Sequence, residues 1–123
     1  MQPLNVVLLQ SDSRTVKSLS ASLGSYFRSV REAKSVADVR DSVAQRRAQV
    51  LILDMEMASL PEVERLSHEF PEVCIVCNHR LADERMWTAS LNAGAVDCCA
   101  SSDSGGILDA ARRNTTHAHG MAA

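Results

Sequence analysis

Three short stretches of the chain are apolar at every position: Val6-Val7-Leu8-Leu9, Val50-Leu51-Ile52-Leu53 and Val73-Cys74-Ile75-Val76-Cys77. A strand with one wet face alternates apolar and polar residues, whereas a strand covered on both faces does not. The three runs are therefore read as interior strands of a parallel sheet. Two weaker stretches complete the set. Arg28 to Ala33 is polar and suits an edge, and Ala95 to Ala100 lacks large side chains.

The segments between these strands carry helical spacing. Ser13 to Leu23 places Val16, Leu19 and Leu23 on one stripe, with Gly24 where a helix C-terminus favours it. Ser35 to Arg47 does the same with Val36, Val39 and Val43. Ser59-Leu60-Pro61-Glu62 reads as a capping box with proline in the first turn, opening a helix that carries Val63 and Leu66 and stops before Pro71. Ala82 to Ala93 carries Met86, Ala89 and Ala93, and Trp87 is expected to anchor this helix on the sheet. Ser102 to Arg113 carries Ile107, Leu108 and Ala111, with Gly105 and Gly106 weakening its first turn.

Strand and helix thus alternate five times. That pattern predicts an α/β domain: a doubly wound, five-stranded parallel sheet of order 2-1-3-4-5 with right-handed crossovers. Residues 1–113 are read as this domain. Residues 114–123, including His117 and His119, are read as a flexible tail. With 123 residues the chain is the size of one ordinary domain, and 46% hydrophobic against 23% charged residues excludes a disordered chain. Thirteen Lys+Arg against fifteen Asp+Glu gives a net charge of -2, so no basic excess points to nucleic acid. No apolar run spans a bilayer and no secretory signal is read, so a cytoplasmic setting is expected.

Ligands of such a sheet bind beyond the carboxyl ends of its strands. Those ends read Gln10-Ser11-Asp12, Asp54-Met55-Glu56, Cys77-Asn78-His79 and Ser101-Ser102. No glycine-rich phosphate loop follows the first strand, which excludes a dinucleotide fingerprint and a P-loop. What remains is Asp54, a carboxylate directly after a buried central strand. Taken alone it is also an ordinary loop residue.

Here the chain resembles the receiver domain of two-component response regulators, over about residues 4–113. Val50-Leu51-Ile52-Leu53-Asp54 looks like the phosphoacceptor strand of that family, with Met57 three residues on, and Gly94-Ala95-Val96-Asp97 is similar to the turn before its fifth strand. The resemblance implies a signalling module that is not an enzyme, with a histidine kinase or an output protein as partner. It also implies a homodimer or target surface on helix 4, strand 5 and helix 5. The family surrounds its acceptor with an acidic pair that helps hold Mg²⁺, a hydroxyl and a lysine, because phosphoryl transfer depends on positioning and charge neutralisation.

This sequence matches that set only at Asp54. Gln10 and Ser11 replace the acidic pair, with Asp12 one residue late. Cys77, or Asn78 in a register one residue later, replaces the hydroxyl. Ser101 stands in place of the lysine, Cys98 in place of the switch aromatic, and Glu56 lies where a backbone carbonyl ligates metal in the family. The expectation is a degenerate receiver that acts by protein contacts, with Mg²⁺ bound weakly if at all at Asp54 and relevant only if the acceptor works. The alternatives are a working receiver phosphorylated on Asp54 and a redox or metal-responsive module built on Cys74, Cys77, Cys98 and Cys99. Odd spacing on a strand sends Cys74 and Cys77 to opposite faces, and Cys98 and Cys99 likewise, which weighs against one zinc centre.

Overall fold

In the computed structural model the backbone is described for residues 2–122 and the side chains for residues 3–115. The elements alternate as β1 (Gln2–Leu9), α1 (Ser13–Gly24), β2 (Phe27–Glu32), α2 (Val36–Ala44), β3 (Val50–Asp54), α3 (Leu60–Glu69), β4 (Cys74–His79), α4 (Glu84–Ala93), β5 (Asp97–Ala100) and α5 (Ser104–Ala122). The five strands are parallel and lie in the order β2-β1-β3-β4-β5. This is the expected doubly wound arrangement. The three apolar runs supply its three interior strands.

Alternation along those strands divides the core into two layers. Val7, Leu9, Leu51, Leu53, Ile75 and Cys77 face α2, α3 and α4 through Val39, Val43, Val63, Leu66 and Ala93. Val6, Leu8, Val50, Ile52, Cys74 and Val76 face α1 and α5 through Leu19, Leu23, Ile107, Ala110 and Ala111. Both faces of β3 are fully buried. Each aliphatic side chain so covered contributes about 1.5–3 kcal/mol of transfer free energy.

Local chemistry sets the helix ends. Asp12 caps α1, Ser35 caps α2 and Asp83 caps α4, each accepting a bond from a backbone N–H of the first turn. The capping box at Ser59 and Glu62 is complete in both directions. α2 stops at Ala44, short of the expected Arg47, because Arg46 turns left-handed at φ 60°. β2 begins one residue earlier than its polar pattern suggests. That residue is Phe27, fully buried beside α1 with Tyr26 edge-on at 4.9 Å. α5 continues past Arg113: Asn114 Nδ2 donates to the Ala110 carbonyl, and the buried Thr115 donates to that of Ala111. Side chains 116–123 of the expected tail, with His117 and His119, lie outside the described residues.

Trp87 does not pack into the core beneath α4. The buried positions of that helix are Ser90 and Ala93, with Met86 packed against the same layer, and Trp87 is 45% exposed one step round the helix. No described helix is long and apolar enough to cross a membrane.

Candidate functional site

The carboxyl ends of β1, β3, β4 and β5 bring Gln10, Ser11, Asp54, Asn78 and Ser101 together. Asp54 ends β3 and is 4% exposed. Its Oδ2 accepts bonds from the Ser11 backbone N–H at 3.0 Å and the Ser11 hydroxyl at 2.5 Å, and its Oδ1 accepts from the Glu56 backbone N–H at 2.9 Å. Three donors from the chain itself therefore hold this carboxylate. Both oxygens of Asp54 are thus engaged by donors of the chain itself.

Beside it lies a pair of amides. Gln10 Nε2 donates to Asn78 Oδ1 at 2.8 Å, and Asn78 Nδ2 donates back to Gln10 Oε1 at 2.9 Å. Gln10 Nε2 also reaches the Ile52 carbonyl at 3.2 Å, and Asn78 Nδ2 reaches Ser101 Oγ at 2.8 Å. Asn78 is 0% exposed and Gln10 is buried. A dry amide must satisfy its polar atoms or cost about 1–3 kcal/mol, and these two largely satisfy each other. Ser101, the residue in place of a lysine, belongs to this neutral network.

Asp12 and Glu56 behave differently from each other. Asp12 is exposed and accepts from the Arg14 N–H as the α1 cap, with no bond to the Asp54 cluster. Glu56 lies closer, its Oε2 being 3.3 Å from the Ser11 hydroxyl. That hydroxyl has one hydrogen, which the shorter contact to Asp54 takes. Glu56 Oε1 is bound by Arg80 Nε at 2.7 Å, and His79 Nε2 stands 3.7 Å away. Arg80, with Arg14, Ser101 and Ser102, lines an open groove of about 390 Å³ over this end of the sheet. The Arg80–Glu56 pair is a loop-to-loop contact, and no periodicity announces it.

The two candidate cysteines lie outside the cluster. β4 turns Cys77 into the layer beneath α3 and α4 and turns Asn78 into the site, opposite Asp54 in register. Cys98 packs in the same layer as Cys77, its cross-strand neighbour, while Cys74 and Cys99 face the other layer. All four cysteines are free. Burial pushes the Cys77 thiol up to about 12. Four sulfurs split between two layers do not converge on one metal.

The donor set does not fit Mg²⁺ as the family resemblance would have it. That ion demands octahedral oxygen ligation with carboxylates free to provide it. Here an amide stands at Gln10, Asp54 is tied to Ser11 and Glu56, and the carboxylate of Glu56 faces a guanidinium. Among the described residues no three His, Cys, Asp or Glu side chains are gathered for a metal.

No protein-family model matches the chain, and no curated protein matches it. Solved structures do match it. A response regulator from Thermotoga maritima superposes with a TM-score of 0.79 at 20% identity, covering 92% of this chain and 97% of that one. A CheY-like response regulator receiver domain protein from Methanospirillum hungatei JF-1 gives 0.82 at 13% identity, covering 98% and 99%. The RcsB response regulator of Salmonella typhimurium gives 0.80 at 16% identity over 95% of this chain, which spans 61% of that longer one. At these identities the likeness establishes a shared fold.

Proposed function

We propose that this chain is a receiver-fold signalling module of the two-component type that works by binding another protein, not by carrying a phosphoryl group on Asp54. The observation that carries the reading is that the polar side chains around Asp54 are paired with one another. In a working acceptor site, oxygen atoms of the incoming group and a metal need charged partners aimed at them. Here the surrounding polar atoms are turned on one another: Ser11 on Asp54, Gln10 on Asn78, Asn78 on Ser101 and Arg80 on Glu56. The similarity to response regulators supports signalling as the setting, with a histidine kinase or an output protein as partner and the face of α4, β5 and α5 as the contact surface. On this reading the chain is not an enzyme and needs no cofactor.

The test is intact-protein mass spectrometry after incubation with acetyl phosphate and Mg²⁺. The expected result is an unmodified mass. A phosphoryl adduct that disappears in Asp54→Asn supports the other reading, a working receiver, and removes this one.

A further inference from the structure

We propose that the groove between α4, β5 and α5 binds a basic segment of a partner protein, one that brings arginine or lysine to Trp87. The inference rests on the reading of the chain as a contact module and names the chemistry of what it contacts. The groove is open and measures about 540 Å³. Its floor is β5, an edge strand with no neighbour on its outer side among the described residues.

Charge is concentrated on this groove. Asp83, Glu84, Asp97, Asp103 and Asp109 line it, and the single cation among its described lining residues is Arg113, already paired with Asp109 at 3.0 Å. The whole chain carries a net charge of only -2, so the rest of it holds a basic excess. A concave surface of one sign raises the local concentration of oppositely charged partners and steers their approach.

The second observation is an aromatic side chain on the same surface. Trp87 stands on the same groove, 45% exposed, and its Nε1 donates to Asp97 Oδ1 at 3.0 Å. That bond fixes the indole before any partner arrives, which lowers the ordering cost of binding. Tryptophan faces attract guanidinium and ammonium groups, and tryptophan is enriched among interface hot spots. A fixed indole among carboxylates suits a cation on an apolar stem.

Trp87 is the only tryptophan, so its fluorescence reports on the groove directly. The probe is a synthetic peptide alternating arginine and leucine, with a glutamate-and-leucine peptide of equal length as control. The expected result is a saturable change in emission with the arginine peptide alone, weakened by added salt. The double variant Glu84→Gln/Asp109→Asn should weaken it about tenfold. The pair Glu64→Gln/Glu72→Gln, which removes the same charge elsewhere, should leave it unchanged. No saturable change, or equal weakening by both pairs, overturns the proposal. So does sedimentation of the free chain as a dimer that Trp87→Ala dissociates, since the occupant is then a second copy. Peptide binding alongside phosphorylation of Asp54 keeps the groove and removes the reading above. An unmodified mass without peptide binding does the reverse.

Discussion

Gln10 and Asn78 exchange two side-chain hydrogen bonds, at 2.8 and 2.9 Å, across a sequence separation of 68 positions. Gln10 follows β1 and Asn78 belongs to β4, so the pair spans β3 at the level of Asp54. Two neutral amides thus fill the space beside the one buried carboxylate of the site. An acid at Gln10 would have to be neutralised by a cation, and the amide has no such need. The character of the whole site follows from that exchange of charge for hydrogen bonding.

The pair should behave as a unit in a mutant cycle. Gln10→Leu or Asn78→Leu alone leaves the other amide buried without its partner and should cost about 2–3 kcal/mol. The double variant removes both amides. It should be more stable than the sum of the singles predicts by about 1–3 kcal/mol. Urea unfolding of the four proteins measures this coupling, and strict additivity would show that the amides do not depend on each other.

Gly94 ends α4 at φ 113°, and a Cβ there would stand 2.1 Å from Ser67 Oγ and 2.5 Å from Ser67 Cβ. Gly94→Ala therefore adds a clash with α3 to left-handed strain, and should cost about 2–4 kcal/mol in thermal or urea unfolding. Adding Ser67→Gly should restore the clash portion and leave the strain. If Gly94→Ala is neutral, the close approach of α3 and α4 is not as described.

Burial pushes the thiols of Cys74 and Cys77 up to about 12, from an ordinary value of 9.0. An unfolded chain releases those protons at lower pH than the folded one. Their contribution to stability is therefore fully present below pH 9 and is lost as the pH rises from there towards 12. Chemical denaturation across that range should show falling stability, less steep in Cys74→Ala/Cys77→Ala. The same burial keeps the reactive thiolate scarce at pH 8, so labelling of Cys77 by a disulfide reagent should be slow until the chain is denatured. Fast labelling of the folded protein would favour a cysteine-based switch.

The fold was largely legible because strands buried on both faces appear as unbroken apolar runs, and Val50 to Leu53 is such a run between two others. The edges were less so. Phe27 lies one residue outside the polar stretch that marks β2, and the left-handed turn at Arg46 cuts α2 short without a glycine to announce it. Trp87 reads as a core anchor by size, yet Ser90 and Ala93 take the inward positions of α4. In the site, Asp54 and its lack of a lysine could be read locally. Whether Cys77 or Asn78 enters depends on strand parity, which one residue of register reverses. The Arg80–Glu56 pair joins two loops and leaves no periodic trace.

The central claim is that the chain itself satisfies the polar groups around Asp54, leaving no acceptor site to fill. A two-dimensional NMR titration with beryllofluoride and Mg²⁺ tests it most directly, through the backbone amides of Ser11 and Glu56 that donate to that carboxylate. The account predicts that both resonances stay in place at millimolar concentrations of each. Saturable shifts of these two amides, absent in Asp54→Ala, would contradict it.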